Sequence, residues 1–77
     1  MATSIKDLKT GEVVEVVHVS ATDPILQHKL LVMGIVPGSS LRVLRRGPFG
    51  SPINIKVLGS VVSLRKSEAR AVAVTRS

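Results

Sequence analysis

The chain is 77 residues long, with a formal net charge of +6, 44% hydrophobic residues, a single aromatic and no cysteine. A chain of that length makes one domain that buries only about 60% of the surface its unfolded form exposes, which leaves little for a deep pocket. The absence of cysteine excludes disulfides and thiolate metal sites, so valine, leucine and isoleucine have to supply a closely packed aliphatic core.

In chain order, Ser4-Ile5-Lys6-Asp7-Leu8 reads as a capped helical turn, with Ile5 and Leu8 on one side to cover the end of a barrel. Thr10-Gly11 is a turn. Glu12 to Ser20 reads as a strand whose alternation slips, because Val14 and Val16 share one face and Val17 and Val19 the other. That phase change predicts a bulge or sharp bend near Val16 and Val17. Asp23-Pro24 opens a helix: Asp23 can accept from orphan amides, and Pro24 lacks the N–H that would go unbonded at the first helical position. Leu26, Leu30 and Met33 recur on one face, with Gln27, His28 and Lys29 turned largely away. Gly34 then suits the left-handed position of a Schellman ending, with Ile35 packing back on Leu30.

Pro37-Gly38 fits the centre of a type II turn. Ser40 to Arg46 alternates, Leu41 and Val43 inward and Arg42 outward, and a loop from Gly47 to Pro52 follows. Ile53, Ile55 and Val57 against Asn54 and Lys56 give the cleanest strand alternation in the chain. Gly59 turns into Val61 to Arg65, Ser67-Glu68-Ala69 makes one helical turn, and Val72 and Val74 face inward on a last strand. The fold predicted is mainly β: a small barrel of about five strands, SH3-like rather than OB-like, with one short α-helix inserted after the first strand. Residues 1–77 read as a single domain.

Charge is unevenly spread. Residues 1–23 carry Lys6 and Lys9 against four carboxylates, a sum of −2, whereas residues 24–77 carry nine lysines and arginines against Glu68 alone, a sum of +8. Such a basic segment fits an acidic protein surface, a phosphate backbone or an anionic membrane, and fits equally a solvated face that keeps a valine-rich domain soluble. No apolar run approaches the roughly 20 residues that span a bilayer, and the N-terminus lacks the pattern of a signal peptide, so the chain reads as cytoplasmic.

Catalytic chemistry finds little to work with. His18 and His28 are the only neutral-pH bases, no nucleophile motif accompanies them, and no phosphate-cradling glycine loop is present, so no enzyme is expected. His18, Asp23 and His28 are spaced by five and five residues, which matches no recognised ligand pattern. His18 reads as a strand-edge residue, Asp23 as a helix cap and His28 as an exposed helix residue, and no metal site or cofactor is assigned. With Phe49 the sole aromatic, neither a base-stacking platform nor a proline-rich-ligand groove can be assembled, and no specific nucleic acid is expected as partner.

The two glycine–proline clusters and a third segment carry a resemblance. Lys29-Leu30-Leu31-Val32-Met33-Gly34-Ile35-Val36-Pro37-Gly38-Ser39 resembles the K/R-L-x-x-L/M-G-[IL/M]-x-P-G-[ST] segment of the ferrous iron transport protein A (FeoA) family. Gly47-Pro48-Phe49-Gly50-Ser51-Pro52-Ile53 is similar to that family's A-P-L-G-D-P-[IL] loop, and Ser63 to Ala69 to its S-L-R-x-x-E-A segment. The likeness runs from about Ile5 to Val74 in order and spacing. Gly47, Phe49 and Ser51 depart from the usual alanine, leucine and aspartate, and the last change makes the loop more basic.

The resemblance implies a free-standing SH3-like accessory protein that supports the ferrous iron permease FeoB by docking on its cytosolic part. Two surfaces are candidates for that contact. One is a basic face of Arg42, Arg45, Arg46 and Lys56, set against an acidic partner or peripherally against an anionic membrane. The other is apolar, formed by Leu31 on the helix and Phe49 in the loop. The rival readings are a metal-sensing domain that binds ferrous or manganous ion and a nucleic-acid adaptor.

Overall fold

A computed structural model describes residues 2–76. Its strands are β1 (Ala2–Ser4), β2 (Val13–Val19), β3 (Ser40–Arg46), β4 (Ile53–Val57), β5 (Ser60–Leu64) and β6 (Val72–Arg76), with helices α1 (Pro24–Val32) and α2 (Lys66–Ala69). All strand pairs are antiparallel and form one sheet in the order β1-β6-β2-β3-β4-β5. The strand absent from the sequence expectation is β1. Three residues long and without alternation to read, it pairs Ala2 to Ser4 with Thr75 to Ala73, so the inserted helix follows the second strand rather than the first.

The bulge expected in β2 lies between Val16 and His18, where the register with β6 shifts. A second one, between Val43 and Arg45 where β3 runs along β4, had no sequence signal. Bulges of this kind sharpen strand twist and bend a sheet. Inside the curve, Val14, Val16, Leu41, Val43, Ile53, Ile55, Val57, Leu64, Val72 and Val74 are buried together. A 3-10 turn (Ile5–Asp7) brings Ile5 and Leu8 over one end of this core, both fully buried. Its Ser4 does not cap the backbone; the hydroxyl donates to the Asp7 carboxylate instead. No polar or charged residue among the described ones is buried.

α1 is built as its sequence dictates. Asp23 accepts from the Ile25 amide at 2.9 Å with Pro24 at the first helical position. At the other end, Gly34 takes φ +85°, and the Ile35 and Gly34 amides donate to the Leu30 and Leu31 carbonyls. Leu30 and Ile35 are thereby locked into the core. Leu26 and Met33 pack partly against it. On the outward side Leu31 is exposed beside His28, and so, without having been singled out, are Ile25 and Val32, which makes α1 apolar on both faces. No described helix is long and apolar enough to cross a membrane.

Candidate docking surface

The four basic candidates divide into two groups. Arg42 and Lys56 are exposed and stand directly opposite each other across β3 and β4. Like charges so placed repel, and neither is paired as Lys6 is with Asp7 or Lys29 with Glu68. Arg45, one step along and just past the second bulge, is exposed opposite Asn54. These three side chains form a basic strip with no internal counter-charge.

Arg46 is placed differently. Its guanidinium donates to the Leu8 carbonyl, to that of Lys6 at 2.8 Å and to that of Gly50 at 3.5 Å. It ties the N-terminal 3-10 turn and the 47–52 loop to β3, a task suited to the fixed fork of arginine. Its donors are engaged within the chain rather than offered outward.

Leu31 and Phe49, the apolar candidates, are both exposed but apart. Leu31, 60% accessible, lines an open groove of about 340 Å³ with Val19, Pro24, Gln27, His28, Ile35, Val36 and Pro37. Phe49 is not in that groove; it sits in a second 3-10 turn (Pro48–Gly50) and is 99% accessible. Its φ of +59° lies in the left-handed region that a bulky residue adopts only under strain. Leu58, which the sequence pattern does not single out, is similar, with φ +52° and 76% accessibility at the tip of the β4–β5 hairpin. A leucine there, in a turn position that favours asparagine, aspartate or glycine, is the signal that could have found it.

The loop that holds Phe49 is cramped. A side chain at residue 47 would meet the Ser51 carbonyl oxygen and, at 2.8 Å, Pro52 Cδ, which leaves no room for the alanine of the family pattern. Ser51, where the pattern has aspartate, accepts from the Lys66 amide at 3.4 Å and so joins this loop to α2.

His18, Asp23 and His28 are not gathered into a ligand set, and no group of three or more metal-ligating side chains occurs among the described residues. The carboxylates that are shifted serve the scaffold. Burial pushes Glu68 up, but hydrogen bonds from Lys29 and from the Arg65 amide outweigh it and hold the carboxyl below its ordinary value. The hydrogen bond from Lys6 likewise lowers Asp7.

Solved structures share this architecture. An iron uptake regulatory protein (FeoA) superposes with a TM-score of 0.88 at 30% identity, with full coverage of both chains. FeoA from Chlorobium tepidum matches with a TM-score of 0.87 at 34% identity, over 96% of this chain and 70% of that one. FeoA from Stenotrophomonas maltophilia, solved with zinc and described as a prokaryotic SH3 domain protein and candidate activating factor for bacterial ferrous iron transport, matches with a TM-score of 0.83 at 26% identity, over 95% of this chain and 89% of that one. The FeoA domain model matches residues 3–76, and so the chain belongs to the FeoA family, a family of small SH3-like domains linked to ferrous iron transport.

Proposed function

We propose that this domain docks on the cytosolic part of a FeoB-type ferrous iron permease and thereby permits or tunes transport. The observation that carries this reading is Phe49. A lone aromatic that is 99% accessible in a left-handed conformation contributes nothing to the core and costs about 1–2 kcal/mol of backbone strain. Strain of that kind persists where the surrounding structure holds a residue ready for use. Leu31 over its groove supplies a second apolar anchor, and the strip of Arg42, Arg45 and Lys56 supplies steering toward an acidic surface.

Pull-down of the purified cytosolic part of the permease by the wild-type domain, with parallel iron accumulation in cells, tests the reading. Leu31→Asp and Phe49→Ser are expected to abolish capture and lower uptake while leaving the fold intact by circular dichroism. Capture that survives both substitutions overturns it.

A further inference from the structure

The two edges of the sheet are finished differently. β1, at one edge, is blunted by being three residues long. β5, at the other, is five residues of Ser60-Val61-Val62-Ser63-Leu64, in regular register with β4 and without charge, proline or bulge. Folded proteins ordinarily guard an edge with one of those devices.

The hairpin geometry fixes which groups the open edge presents. Leu58 and Gly59 both have positive φ and form a two-residue loop, which makes Val57 and Ser60 a hydrogen-bonded pair. Bonded and non-bonded pairs alternate from there, so Val61 and Ser63 aim their N–H and C=O groups away from β4. Those four groups take no hydrogen-bond partner among the described residues. Val61 itself is 63% accessible.

Beside this edge the sheet carries one sign of charge. Val61 lies in a cross-strand row with Lys56 and then Arg42, and Arg65 and Lys66 follow the strand directly. Between Pro24 and Ser67 the chain has no acidic residue at all. We infer that the free edge of β5 is a strand-addition site for an extended, acidic segment of a partner protein. Alternating donors and acceptors on the edge would bind the partner backbone, and acidic side chains on the outward face would stand beside Val61, facing the long Lys56 side chain one strand further in, with Arg42 beyond it adding charge of the same sign. A second copy of this chain suits the edge less, because it would bring another +6 to a basic rim. A nucleic-acid backbone suits the charge but offers no N–H for the two outward carbonyls. The site is separate from the Leu31 groove and does not depend on the docking reading above.

The test is titration of the ¹⁵N-labelled full chain with a synthetic peptide of about eight residues alternating valine and glutamate. Saturable shifts centred on the Val61 and Ser63 amides are expected. The same peptide with proline in place of valine, which lacks strand donors, is expected to bind at least about tenfold more weakly, as two or more lost hydrogen bonds require. Val61→Pro removes an outward donor without touching the β4 ladder and should weaken the valine–glutamate peptide by a similar factor. Arg42→Glu with Lys56→Glu should transfer preference to a valine–lysine peptide. Equal binding of the proline peptide, shifts that avoid β5, concentration-dependent dimerisation through β5, or tighter binding of a single-stranded oligonucleotide would each overturn the inference.

Discussion

The Leu58 side chain lies across the Cα of Gly34, joining the tip of the β4–β5 hairpin to the end of α1; a methyl on residue 34 would run into Leu58 Cδ1. Gly34 also needs its positive φ to close the helix. Gly34→Ala is therefore expected to destabilise the domain by about 1–2 kcal/mol, mostly through backbone strain, since an exposed leucine tip can swing aside. In a Leu58→Gly background only the backbone part should remain, so the two substitutions should couple by a few tenths to about 1 kcal/mol. Urea-unfolding midpoints of the four proteins in the cycle measure it, and strict additivity would deny the contact any role.

Arg46 and Arg45 are neighbours with opposite duties. Arg46→Ala strips donors from the Lys6 and Leu8 carbonyls and should cost about 2 kcal/mol, with Arg46→Lys recovering only part because an ammonium cannot span the same acceptors. Arg45→Ala, on an exposed side chain, should stay within about 0.5 kcal/mol of wild type. Thermal unfolding of the three variants decides the matter. Any loss of iron uptake in Arg46→Ala should track its lost stability, whereas loss in Arg45→Ala should appear at full stability.

How far these roles were legible in the sequence follows from which signals are local. The helix cap at Asp23, the Schellman ending at Gly34 and the bulge after Val16 are written in adjacent residues, and each forms as its pattern indicates. The duty of Arg46 was hidden because two of its three acceptors, the Lys6 and Leu8 carbonyls, lie about forty positions earlier, and a run such as Arg45-Arg46 looks uniform until a fold separates the two. β1 was invisible because three residues carry no period. On the outward side of α1 the sequence offers Leu31 but not Ile25 or Val32: apolar residues at helical spacing signal the core unless a neighbouring element is absent, and only the assembled barrel shows that Ile25 and Val32 stay exposed beside Leu31.

Lys29 and Glu68, thirty-nine positions apart, meet at 2.6 Å, while the other Glu68 oxygen accepts from the Arg65 amide at 2.8 Å. One carboxylate thus pins α1 to the start of α2. Because its pKa in the folded chain lies below the ordinary 4.5, the ionised form is favoured by folding. That contribution is present above the ordinary value and lost as pH falls through the lowered one. Glu68→Gln keeps an acceptor for Arg65 but removes the charge. It is expected to cost about 0.5–1 kcal/mol at neutral pH, and the gap should close below about pH 4. Denaturant titrations across that range provide the check, and a gap independent of pH would contradict the assignment.

Phe49 allows stability and function to be driven in opposite directions. With φ at +59° and almost its whole side chain in water, it offers the fold strain and no packing. Phe49→Gly or Phe49→Asn places a residue tolerant of the left-handed region there, and should raise stability by about 0.5–1 kcal/mol. For a domain of this size that corresponds to a rise of roughly 3–7 °C in Tm. If the ring is a docking anchor, the same variants should lose capture of the permease's cytosolic part and iron accumulation despite the firmer fold. A ring serving only the fold would show the reverse, with capture unchanged and Tm lowered. Measuring Tm and capture on the same preparations separates the two, because a destabilising lesion cannot produce a gain in one and a loss in the other.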